Sequence, residues 1–145
     1  MEKIASYINR QSRNNLLFTT EEVEGVNYVD IGRQLAEKIE NHLQKKRLGM
    51  IAEDALNKIF SQGSCRNEEI GEYLAIKNIG ILFEPALHID VGTILKKWSR
   101  DHILVVMLEG EIQNGTFYLS DQEPKYSVSL NDITYSSFGF RIQAV

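Results

Sequence analysis

Phosphate, metal and nucleophile chemistry each demand particular residues at particular spacings, and the chain can be searched for each. A phosphate loop needs G-x-x-x-x-G-K-[ST] between a strand and a helix, so that backbone N–H groups and a lysine surround the anion. The nearest pattern pairs Gly25 with Gly32, followed by Arg33-Gln34 rather than Lys-Ser/Thr. Glu21, Glu22 and Glu24 precede it, where a phosphate would meet repulsion. The plain reading of that segment is a turn before a helix. His42, His88 and His102 are far apart, and Cys65 has no second cysteine to form a zinc-binding pair. Glu84, Asp90, Glu109 and Glu111 stand where strand ends can bring them together, which raises a magnesium-dependent nuclease. However, Glu109-Gly110-Glu111 runs into Ile112-Gln113 without the lysine that restriction-type nucleases place beside their acidic pair. Helix caps and a solvated hairpin are the plainer account of these carboxylates. No G-x-S-x-G turn presents a serine nucleophile. The expectation is therefore no catalytic, cofactor-binding or metal-binding residue.

The elements that would position such groups alternate between strand and helix. Ile4 to Ile8 fit a short amphipathic helix, Leu16 to Thr19 a brief strand, and Val26 to Val29 a second one. Asp30 stands at an N-cap before Ile31, Leu35, Ile39 and Leu43, whose spacing predicts a helix to about Lys46. Another helix is expected over Gly49 to Phe60, with Ile51, Ala55, Leu56, Ile59 and Phe60 inward and Gln62-Gly63-Ser64 as its closing turn. Cys65 then falls in an exposed loop. Tyr73 to Ile76 and Ile79 to Phe83 read as strands buried on both faces, with Pro85 ending the run. Asp90 caps a third helix carrying Val91, Ile94, Leu95 and Trp98 on one face, which leads into the apolar strand Ile103 to Leu108. Strand, helix and strand in this order form a crossover unit of a parallel sheet. Asn114-Gly115 suits a type I′ hairpin, giving an antiparallel extension at the sheet edge. Ile133 to Ile142 reads as a last strand, with Gly139 as a bulge.

At 145 residues, with 43% hydrophobic and 25% charged residues, the chain fits one α/β domain spanning 1–145. Its first 25 residues are expected to be loosely ordered. A net charge of −4 disfavours direct nucleic-acid binding, which needs a basic face. The densest basic run, Lys45-Lys46-Arg47, complements a helix end. One cysteine excludes an intrachain disulfide, and no run of about 18 apolar residues suggests a membrane span. A cytoplasmic location without membrane contact is the expectation.

Three segments carry a family resemblance: Ile79-Gly-Ile-Leu-Phe-Glu-Pro-Ala-Leu87, Trp98-Ser-Arg100 and Gly110-Glu-Ile-Gln-Asn-Gly115, with Glu123-Pro124-Lys125-Tyr126 beyond. In order and spacing they resemble BrxF, the small P-loop protein family of BREX phage-defence systems. That family's pattern has a Walker B strand entering an "LFDP-L" turn, a helix ending in Ser-Arg, an apolar strand, a glycine-bearing hairpin and an "EP…Y" stretch. Val26 to Leu35 is similar to its second strand and helix. The chain departs from it at the Walker A loop, where it has only Leu16 to Glu24. It departs again at Walker B, where Lys77 replaces the aspartate and Gly80 a following acid. Losing both removes the main charge-stabilising parts of phosphoryl transfer.

The resemblance thus implies a P-loop-like α/β remnant with a small, mainly parallel sheet, flanking helices and a C-terminal antiparallel hairpin extension. It implies a nucleotide-free, non-catalytic subunit or adaptor of a prokaryotic anti-phage or DNA-modification complex, with no cofactor. Its partners would be other subunits of a defence or DNA-processing complex, and self-association through an uncovered edge strand stays open. The expected contact residues are Phe83, Glu84 and Pro85 in the turn and Trp98, Ser99 and Arg100 at the helix end. Trp98 reads most simply as core. A weak ATP-binding enzyme with an unrecognised phosphate loop, and a small metal-dependent nuclease or nucleic-acid-binding subunit, are the alternatives.

Overall fold

The computed structural model describes residues 14–119 and 126–138. Its elements are β1 (Leu16–Thr19), β2 (Tyr28–Asp30), α1 (Ile31–Ile39), α2 (Leu48–Gln62), β3 (Cys65–Asn67), β4 (Gly71–Lys77), α3 (Val91–Asp101), β5 (Ile103–Met107), β6 (Gly110–Gln113), β7 (Thr116–Leu119), β8 (Ser127–Ser129) and β9 (Tyr135–Phe138). Five strands form a parallel sheet in the order β2-β4-β5-β1-β9, and β3 adds antiparallel to the start of β4. β6, β7 and β8 form a separate antiparallel sheet. The architecture is α/β, as the alternation of elements implies.

The first strand lies inside the sheet, between β5 and β9, so all four of its residues are buried. Alternation along the strands then fills two cores. Leu16, Phe18, Leu74, Ile76, Leu104 and Val106 face the layer of α1, α2 and α3. Leu17, Tyr73, Ala75, Ile103 and Val105 face the other way, where Val23 and Val26 of the β1–β2 connection pack with Ile70. All three helices thus contribute to the first core.

Several elements differ from the sequence expectation for identifiable reasons. α1 ends at Ile39, and Glu40–His42 tighten into a 3₁₀ turn. A 3₁₀ turn has three residues per turn, so it breaks the helical phase. Ile31, Leu35 and Ile39 remain buried while Leu43 swings out to 58% exposure. Ile79–Phe83 is a 3₁₀ helix, not a strand. Asn78 adopts left-handed dihedrals (φ 58°) that turn the chain off β4, after which Ile79 and Leu82, three apart, point inward. A short apolar run does not by itself separate these two conformations. Cys65 lies half-buried in β3 rather than in an exposed loop.

The Asn114-Gly115 hairpin forms with both residues at positive φ (52° and 74°), as its turn type requires. Its strands belong to the second sheet instead of extending the first. Phe117 of β7 meets Phe83 at 5.9 Å, and Val128 of β8 lies against Gly92 of α3, which joins this sheet to the main body. The last strand covers Tyr135–Phe138. The Ile4–Ile8 helix, the Gly139 bulge and Glu123-Pro124-Lys125 fall outside the described residues. Among the described residues, no helix is long and apolar enough to cross a membrane.

Candidate functional site

In parallel α/β sheets, ligands bind outside the carboxyl ends of the strands. Four strands end there in register: Thr19 of β1 beside Met107 of β5, and Asp30 of β2 beside Lys77 of β4. The chemistry available at this edge comes from Thr19, Asp30, Lys77, Asn78 and the connection spanning residues 20–27.

That connection contains no helix. It travels from β1 past β5 and β4 to the edge strand β2, and side chains of other elements secure it. Thr19 Oγ1 and the Tyr28 hydroxyl are 3.0 Å apart, and Val23 N donates to the same hydroxyl at 3.3 Å. Asn27 N donates to the Tyr73 hydroxyl at 2.8 Å, and Asn67 Nδ2 to the Gly25 carbonyl at 3.1 Å. At its centre, Lys77 Nζ donates to Glu22 Oε1 at 2.8 Å, an ion pair. The Glu22 hydrogen bond and charge hold the Lys77 ammonium above its ordinary pKa, with a smaller contribution from Asp30. Burial raises the Tyr28 phenol, against the hydrogen bonds from Thr19 and Val23.

The N-terminus of α1, the natural anion-binding feature at such an edge, is occupied by the protein itself. Asp30 Oδ1 accepts from Arg33 N at 2.9 Å and from Asn78 Nδ2 at 2.9 Å. These two bonds, the backbone one first, hold its carboxyl below the usual pKa. Gly32 is required in this turn, because a Cβ there would sit 2.5 Å from Asn78 Nδ2. Hence the cation at the strand ends is paired with Glu22, and the helix terminus is filled by Asp30 and Asn78. Incoming phosphate would have to displace a carboxylate from Lys77 and would face Asp30 at the helix end.

The structure separates the residues expected at a contact surface. Phe83, Glu84 and Pro85 follow β4 at the carboxyl edge. Glu84 and Pro85 are exposed, whereas Phe83 is half-buried against Phe117 and Tyr126. Trp98, Ser99 and Arg100 lie at the other end of α3, which runs back to the start of β5, so the two groups occupy opposite edges of the sheet. Trp98 is core at 2% exposure, with its ring stacked 4.8 Å from Phe60. Ser99 is fully buried, donating to the Leu95 carbonyl at 2.6 Å and accepting from Asn14 Nδ2 at 3.2 Å. Only Arg100 of that trio is exposed.

Asp90 is used as the cap of α3, accepting from Thr93 N at 3.1 Å. Among the described residues, no three His, Cys, Asp or Glu side chains come together as a metal site. The Glu22–Lys77 pair, 55 positions apart, could not be found from spacing. Its signal is the lysine that ends the apolar run Tyr73 to Ile76. No family model matches this chain, and neither a curated protein nor a solved structure is significantly similar to it.

Proposed function

We propose that this chain is a nucleotide-free, P-loop-like adaptor or subunit that works by protein–protein contact within a prokaryotic anti-phage defence or DNA-modification complex. The defence context comes from the similarity to BrxF in the segments 79–87, 98–100 and 110–115. The loss of nucleotide handling is supported above all by the Glu22–Lys77 ion pair of 2.8 Å. A phosphate loop sits between a strand and a helix, so that the helix N-terminus faces the anion. Here β1 leads instead into a helix-free connection, whose Glu22 binds Lys77 at the strand ends. Lys77 also stands where the resemblance puts the Mg²⁺-holding acid, so the charge at that position is reversed.

A domain that keeps its sheet without its reactive groups retains its surface as the useful part. Glu84, Pro85 and Arg100 are the exposed members of the expected contact residues. The test of the nucleotide-free reading is a thermal-shift and calorimetric titration with ATP, GTP and Mg²⁺. No shift at millimolar ligand is expected, since a ligand that binds the folded state raises its stability by mass action. A saturable shift overturns this reading in favour of a weak nucleotide-binding enzyme. For the contact role, Arg100→Ala should weaken co-purification with partner subunits, and full retention would remove the α3 end from the interface.

A further inference from the structure

α2 packs on α1 and α3 packs on β5, and beyond the Phe60–Trp98 stack that joins α2 to α3 the seam between them holds a cleft of about 240 Å³. Both helices present it with matched stripes. Gly49, Glu53, Leu56 and Asn57 share one face of α2, and Thr93, Ile94, Lys97 and Trp98 one face of α3. The floor is apolar, made by Leu56, Ile94 and the edge of Trp98. Glu53, Asn57, Thr93 and Lys97 are exposed around it.

One end of the cleft is lined by a residue with unusual backbone dihedrals. His88 adopts left-handed dihedrals (φ 52°, ψ 38°), a region that non-glycine residues seldom occupy. This carries its side chain into the lining, over Gly49, where an added Cβ would lie 3.3 Å from the Leu87 carbonyl oxygen. Strained backbone persists where surrounding structure enforces it, and it clusters at ligand sites.

The rim carries both signs of charge. Glu53 on α2 and Lys97 on α3 form no ion pair within 4.0 Å, although they line the same cleft, and the third charged lining residue, Asp90, has its Oδ1 engaged by Thr93 N as the cap of α3. A guest of one sign would satisfy one of them and leave the other unpaired. A guest bearing both charges on a short body satisfies both. The volume lies below the range of about 300–1,000 Å³ usual for drug-sized ligands, so the guest is small.

We propose that the α2–α3 cleft binds a small zwitterion with an apolar body, of the chemical class of a free hydrophobic amino acid. Its side chain packs on Leu56, Ile94 and Trp98, its carboxylate pairs with Lys97 and its ammonium with Glu53. This site shares no residue with the Glu22–Lys77 pair and does not depend on the function proposed above.

Trp98, the sole tryptophan, is a built-in reporter. The intact protein is titrated with L-phenylalanine, N-acetyl-L-phenylalanine and phenethylamine, following Trp98 emission and the NMR shifts of the α2 and α3 amides. The expected result is saturable binding of the amino acid, with at least about ten-fold weaker binding of each analogue that lacks one charge. Lys97→Glu and Glu53→Gln should weaken binding by a similar factor at unchanged thermal midpoint, because both side chains are exposed. The proposal is overturned by no saturable response up to about 10 mM, by analogues or variants that bind equally well, or by a response confined to apolar peptides.

Discussion

Asp30 ties the strand ends to the helical layer, because one oxygen accepts from both Arg33 N and Asn78 Nδ2. Asp30→Ala removes the cap of α1 and should cost about 0.5–2 kcal/mol in urea unfolding. Asp30→Asn keeps a capping oxygen but cannot titrate. In the wild type the folded carboxyl titrates below its ordinary value of 3.8. Its stabilisation is therefore complete above that value and is lost as pH falls through the lower folded pKa. Acid unfolding curves should show this loss in the wild type and not in Asp30→Asn. For Lys77 the sign is opposite. Its pKa is raised by Glu22, so the pair's contribution is present below the ordinary value of 10.5 and disappears as pH rises through the raised one. At Trp98, truncation to Ala should cost about 3–5 kcal/mol, measured by circular dichroism, since a buried ring stacked on Phe60 leaves a large cavity. A mild effect would mean that α2 and α3 can collapse into the space.

Elements show where local sequence decides structure and where it does not. α3 was legible because Asp90, the stripe ending in Trp98 and the following apolar strand all point to one solution. The hairpin was legible because Asn114-Gly115 supplies two residues tolerant of positive φ. Gly115→Ala should cost about 1–2 kcal/mol through the left-handed backbone, with further strain because its Cβ would lie 2.6 Å from Asn131 Oδ1. Ile79–Phe83 was not legible as a turn, since its inward residues depend on the left-handed step at Asn78, which composition does not reveal. The end of α1 is not legible for the opposite reason. Leu43 continues a four-residue spacing that the backbone abandons at Glu40. Leu43→Gln should accordingly change stability by less than about 0.5 kcal/mol, as exposed substitutions do. A larger loss would place Leu43 in contacts that its exposure does not suggest. The candidate site was half legible: the absence of a phosphate loop could be read directly, but the Glu22–Lys77 pair exists only through the sheet order.

Taken whole, the molecule is a parallel sheet with its helices in one layer and a crossing loop on the opposite face. Amide exchange should be slowest in β1, β4 and β5, which have strands on both sides and fully buried central residues, and faster in the edge strand β2. Equal protection across the sheet would contradict that ranking. The position of β1 also bears on how the chain is made. Leu16 pairs with Leu104, so β1 must wait for 88 further residues (104 − 16) before its neighbour on one side exists. At about 5–20 residues per second, that is a delay of roughly 4–18 s. The neighbour on the other side, Tyr135 to Phe138, arrives later still. During translation an apolar Leu-Leu-Phe segment has no partner, while β2, α1, α2 and β4 can already assemble behind it. The centre of the sheet is therefore closed only when its most C-terminal described strand has been made.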